Sequence, residues 1–116
     1  MPTRRALVAG LAFGFAAVTA PLGAFAQEKL PVVASFSILG DFARQVGGDR
    51  VSVTTLVGPD GDAHVYSPTP ADAKAMAAAR LVLVNGLHFE GWLPRLVKSS
   101  GTKATMATAT KGITPL

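Results

Sequence analysis

One histidine and two carboxylates fall within five residues of each other in Asp60-Gly61-Asp62-Ala63-His64. They form the centre of the stretch Gly58-Pro59-Asp60-Gly61-Asp62-Ala63-His64-Val65-Tyr66-Ser67-Pro68-Thr69-Pro70. Imidazole is the commonest protein ligand for divalent metals and carboxylate oxygens can add to it, so the chemistry on offer is metal coordination. The same residues also have plainer uses: Asp60 as a turn former, Asp62 as a solvated carboxylate, and His64 as a loop histidine bonded to nearby backbone. The further acidic positions of a calcium loop are missing. His88, in Asn85-Gly86-Leu87-His88-Phe89-Glu90, is a second candidate. It reads more readily as a surface histidine ahead of a helix, with Glu90 interacting with the helix amino end.

Bond-making chemistry finds less support. Ser35, Ser37, Ser67 and the threonines supply hydroxyls, but no Gly-x-Ser-x-Gly elbow occurs and a histidine without a motif is no triad. Phe36-Ser37-Ile38-Leu39-Gly40 carries a single glycine where a nucleotide site after the first strand would need several. Tyr66, Phe89 and Trp92 are isolated aromatics, better suited to core or rim than to a stacking platform.

The elements that must position these groups alternate. Leu30–Phe36 is a short apolar, β-branched run consistent with a buried parallel strand. Ser37 can cap a following helix in which Ile38, Leu39, Phe42 and Val46 recur at helical spacing, and Gly47-Gly48 stops it. Val51–Val57 alternates and is largely β-branched, and Gly58-Pro59-Asp60-Gly61 suits a type I turn. Thr69 as N-cap, Pro70 at N1 and Asp72 at N3 start an alanine-rich helix that runs to about Ala79. Leu81–Val84 reads as a buried strand, Glu90 to about Ser100 as a helix that tolerates Pro94 near its start, and Lys103–Thr110 as a last strand. The order β-α-β-α-β-α-β predicts an α/β fold with a parallel sheet and right-handed crossovers. Ligands bind such sheets at the carboxyl ends of the strands. His64, the Ser35 and Ser37 loop and Asn85–Glu90 converge there.

The amino end carries an address. Arg4 and Arg5 precede an uncharged run, Ala6 to Ala26, that closes on Ala24-Phe25-Ala26, the pattern of a secretory signal with an A-x-A cleavage site. A membrane anchor is the alternative, against which stand Gly10, Gly14, Pro21 and Gly23 and the lack of a basic stop-transfer cluster. Export to the periplasm is expected by the Sec route or, through Arg4-Arg5, the twin-arginine route. The chain carries eleven Lys and Arg against seven Asp and Glu, a net +4, and removing residues 1–26 leaves +2 on ninety residues, scattered singly. Nucleic acid is therefore not indicated as a partner. There is no cysteine, which excludes thiolate metal sites and leaves stability to the core of one small domain.

Three stretches together resemble the zinc/manganese/iron-type solute-binding proteins of bacterial ABC transporters, the TroA-like family. They are Ala34-Ser35-Phe36-Ser37-Ile38-Leu39-Gly40-Asp41, then Gly58 to Asp72 with its specific His-x-Tyr-x-Pro-x-Pro-x-Asp string, then Asn85-Gly86-Leu87-His88-Phe89-Glu90-Gly91-Trp92-Leu93. The resemblance implies two α/β lobes joined by a long helix, with a divalent ion held between them by histidines and carboxylates from both. It implies that His64 is the first metal ligand, through an imidazole nitrogen, and that His88 is not a ligand. It implies a monomeric, non-enzymatic binding protein that carries zinc or manganese, with iron as a further option, to an ABC permease in the inner membrane. Residues 27–116 match the N-terminal lobe only, truncated before the linking helix and the second lobe. The expectation is thus a fragment that does not complete its metal site alone. The rivals are an exported metal-dependent hydrolase using His64 and Asp62, and a surface adhesion or structural domain in which His64 is incidental.

Overall fold

The computed structural model describes Gly14 and residues 28–116. The leader expected over residues 1–26, with Arg4, Arg5 and Ala24-Phe25-Ala26, lies outside these apart from Gly14. Among the described residues no helix is long and apolar enough to cross a membrane.

Four parallel strands make one sheet: β1 (Leu30–Phe36), β2 (Val51–Val57), β3 (Leu81–Val84) and β4 (Thr105–Thr108), in the order β2-β1-β3-β4. Val32 sits beside Val53 on one side and Leu81 on the other, which fixes β1 and β3 as the central pair. Helix α1 (Ser37–Gly47) makes the crossover from β1 to β2 and packs on both, while α2 (Pro70–Ala78) and α3 (Leu93–Ser100) pack against each other. The expected α/β class and parallel order are therefore what the chain forms.

Side chains alternate across a strand, so each strand feeds two faces. Val33, Leu56, Val82 and Val84 meet Met76, Ala79, Leu93 and Leu96 in the main core under α2 and α3. Met76 and Val82 are completely buried, and burial of a side chain of this size contributes about 1.5–3 kcal/mol. Among the described residues, the opposite face carries α1 alone. Leu39 is buried there, but Phe42 and Val46 stay 58% and 91% exposed, although they lie at the predicted helical spacing. They border an apolar trough of about 300 Å³ floored by Val32, Leu81 and Leu83.

Element boundaries depart from the sequence reading where side chains compete for the backbone. Ser37 is not the cap of α1: it is already helical, and extended Phe36 precedes it with no side-chain cap bond. Helix α2 has the predicted start, a reciprocal capping box of Thr69 and Asp72 with Pro70 at N1, and ends one residue early. Helix α3 begins at Leu93 rather than Glu90, because residues 85–92 are wound into a turn described below. Strand β4 spans only Thr105–Thr108, since Thr102 and Ser100 bond locally before it and Lys111 N–H turns back to Thr108 O after it.

Helix α1 comes close to β2 because residue 40 has no side chain. A Cβ at Gly40 would overlap Thr55 Oγ1, and Thr55 is stiff at χ1. Gly40→Ala should therefore lower the urea midpoint by an amount equivalent to about 1–3 kcal/mol. Thr55→Ala in that background should recover part of the loss, and an undiminished midpoint in Gly40→Ala would refute the close approach.

Candidate metal centre

The loop from β2 to α2 carries His64 and is shaped by its own sequence. Gly61 N–H donates to Gly58 O at 3.0 Å, closing the expected turn. Asp62 Oδ1 then accepts the His64 backbone N–H at 2.8 Å, an Asx turn that also places this oxygen 3.5 Å from His64 Nδ1. Asp62 is thus not simply a solvated carboxylate. It sets the backbone that presents the imidazole and lies beside one of its nitrogens.

Both flanks of His64 are anchored. On one side Ala63 is buried and its carbonyl accepts a hydrogen bond from Trp92 Nε1 at 2.6 Å. On the other, Tyr66 Oη donates to Asp72 Oδ2 at 2.6 Å, the oxygen that also accepts Thr69 N–H at 2.8 Å within the capping box. Tyr66 and Trp92 pack edge to face with ring centroids 5.1 Å apart. Burial of the Tyr66 phenol, then its hydrogen bond to Asp72 and the nearby negative charge, push its pKa up to about 12. The imidazole itself stays accessible, with the side chain 64% exposed.

The loop after β3 completes the surroundings. Gly86, Leu87 and His88 have φ of 84°, 55° and 61°, three successive residues in the left-handed region. For Leu87 and His88 this costs roughly 1–2 kcal/mol each. Gly86 admits no replacement, because a Cβ there would overlap Thr108 Cγ2 and stand 2.8 Å from Thr110 Oγ1. Glu90 does not serve a helix end. Its buried carboxylate turns back and accepts Asn85 N–H at 2.7 Å and Gly86 N–H at 3.0 Å. This turn delivers Phe89 to the sheet edge, where its ring meets Phe36 at 5.2 Å and the His64 imidazole at 4.4 Å.

The three loops expected to converge do so. Phe36, Ser37 and Ile38 from the first, Asp60, Asp62 and His64 from the second, and Phe89 from the third line a shallow depression of about 420 Å³. His88 lies apart, beside Val84, Leu93 and Pro94. Ser35 is fully buried in β1, with no hydrogen-bond partner for Oγ. A larger cleft of about 600 Å³ runs between Tyr66–Pro70 and α3 and does not include His64. Among the described residues no group of three or more His, Cys, Asp or Glu side chains is placed to hold a metal ion. Among the described residues, the groups at this edge that could ligate a metal are the His64 imidazole and the carboxylates of Asp62 and Asp60. The expected loop Asn85–Glu90 contains Phe89, whereas Trp92, which anchors Ala63, lies beyond it and had only its aromatic character as a signal.

A parallel α/β unit with a histidine exposed at its carboxyl edge presents that histidine where sheets of this type bind ligands. Residues 32–116 match the family described as zinc-uptake complex component A, periplasmic, and the chain belongs to that family. It is 33% identical over 114 residues to the manganese-binding lipoprotein MntA of Bacillus subtilis (strain 168), covering 95% of this chain and 37% of that protein. It is 36% identical over 89 residues to the iron-binding protein YfeA of Yersinia pestis, covering 77% of this chain and 28% of that one. The Mn-bound periplasmic metal-binding protein of Candidatus Liberibacter asiaticus superposes with a TM-score of 0.69 at 40% identity, over 77% of this chain and 33% of that structure. The chain therefore spans about a third of the length of these relatives. They are metal-binding proteins and not enzymes, so the hydrolase reading is set aside.

The Tyr66 phenol gives a pH test of the loop's anchor. The folded state keeps a proton that the unfolded state loses above its ordinary pKa of 10.0. The stabilisation is therefore complete below pH 10 and should fall as pH rises towards about 12. Urea midpoints on both sides of pH 10 should show this decline in the native sequence and a flatter profile in Tyr66→Phe. At neutral pH that variant should lose about 1 kcal/mol with the hydrogen bond.

Proposed function

We propose that this chain is the N-terminal lobe of an exported solute-binding component of a metal ABC uptake transporter, in which His64 supplies one ligand to a divalent ion. The cargo is zinc or manganese, with iron as a third candidate, and the receiving partner is an inner-membrane permease. The observation that carries the reading is the placement of His64. It is an accessible imidazole at the carboxyl edge of a parallel sheet, on a loop anchored on both flanks and with Asp62 beside Nδ1. A carboxylate next to one imidazole nitrogen orients the ring and favours metal binding through the other. Membership of the family and the metals named for its relatives support the same conclusion.

A metal site of transport affinity needs three or four protein ligands, and the described residues bring no such group together. In this reading the remaining ligands come from a second lobe that faces the depression. The amino-terminal residues 1–26 act as the cleaved export signal, and the binding protein works as a monomer.

Isothermal titration with zinc and manganese tests the proposal. Residues 27–116 should bind no more tightly than a histidine peptide, and His64→Ala should remove the part of that weak binding that His64 supplies, leaving only what the exposed His88 gives. Sub-micromolar, stoichiometric affinity that survives His64→Ala would overturn it. In a protein with both lobes, His64→Ala should weaken binding by at least about 10–100-fold, the loss typical of perturbing even a group that only orients a ligand.

A further inference from the structure

We infer that Phe89 is the positioning residue for His64: its ring, delivered by the left-handed turn Gly86–His88 and braced by Phe36, holds the imidazole in one orientation above the depression. The inference rests on reading His64 as a ligand, but its first test needs no metal.

An imidazole as accessible as that of His64 would otherwise spread over three χ1 wells and a broad, roughly two-fold χ2. Two groups limit it here. Asp62 Oδ1 lies 3.5 Å from Nδ1, and the Phe89 ring stands at 68° to the imidazole with centroids 4.4 Å apart, an edge contact at the close limit for aromatic rings. Phe89 is itself braced by its neighbour and by the turn that carries it. Phe36 packs on it at 5.2 Å, its backbone N–H donates to Gly86 O at 3.1 Å, and Glu90 pins the two amides at the start of the turn.

The turn puts residues in an unfavoured conformation, and such strain persists only where the surroundings over-determine it. Leu87 and His88 bear that strain and remain exposed, so nothing is gained by burying them. What the turn achieves is the placement of Phe89. Phe89 also lies outside the apolar cluster under α2 and α3, so filling that core is not its task. Holding a ligand in its productive orientation before the ion arrives removes an ordering cost from binding.

The test uses nuclear magnetic resonance on the whole chain, metal-free, with the urea-unfolded chain as reference. The His64 ring protons should be displaced by ring current relative to their unfolded positions and should show cross-relaxation to the Phe89 ring. Phe89→Leu should remove most of that displacement while the Val82 and Leu96 methyl signals stay in place, and Phe89→Tyr should keep it. His64 shifts unchanged in a folded Phe89→Leu protein would overturn the inference. So would missing Phe89–His64 cross-relaxation in the native sequence, a measurement that holds even if Phe89→Leu does not fold. Zinc titration followed at the His64 ring should then weaken by roughly three- to six-fold in Phe89→Leu, the number of rotamer wells regained, and not in Phe89→Tyr. A released imidazole with unchanged zinc affinity would also overturn it. No zinc response at His64 in the native sequence would instead refute the ligand reading, and the metal-free spectra would still decide the role of Phe89.

Discussion

The carboxyl edge of this sheet depends on one carboxylate. Glu90 is only 6% exposed and meets two backbone N–H groups rather than a cation. A buried carboxylate is costly unless its oxygens are satisfied. Hydrogen bonds to a charged group are worth about 1.5–3 kcal/mol each, enough to offset the left-handed strain at Leu87 and His88. Without the clamp the turn has no reason to hold its shape. The clamp also gathers the edge strand into the site, because Gly86 lies against Thr108 and Thr110, and Thr110 N–H and Oγ–H both donate to Asn85 O. Strand β4, Gly86, Glu90, Phe89 and His64 form one mechanical series.

Most of the scaffold could be read from the sequence because its signals are local. The capping box needs only Thr69 and Asp72, and the alternation of Leu81–Val84 suffices to send Leu81 and Leu83 to one face and Val82 and Val84 to the other. The position of His64 at the sheet's carboxyl edge followed from element order alone. Its immediate neighbours did not, because they are not local: Trp92 reaches Ala63 across twenty-nine residues of chain. The start of α3 was misplaced for a related reason. Glu90 looks like a helix residue beside a helix, and nothing in its neighbours shows that its carboxylate is spent on Asn85 and Gly86. Left-handed Leu87 is equally unreadable, since leucine does not favour that conformation.

The two faces of the sheet are unequally covered. Parallel sheets are ordinarily packed on both sides. Here α2 and α3 close one face, while on the other α1 leaves Leu81 and Leu83 beside the exposed Phe42 and Val46. The site lies at the edge where these faces meet, between the loop that leads to α1 and the loop that leads to α3. That is the crevice that strand order opens in a sheet of this type.

The same strand order has a consequence in time. The central pair joins Val32 to Leu81, roughly fifty residues apart along the chain, and no hairpin offers an earlier contact. Closing a loop of that length must precede the reward from pairing, which slows folding. Until β3 docks, β1 has one neighbour, Phe89 has no edge to rest on and the histidine loop lacks its tryptophan anchor. The edge that carries His64 is therefore among the last parts of the chain to take shape.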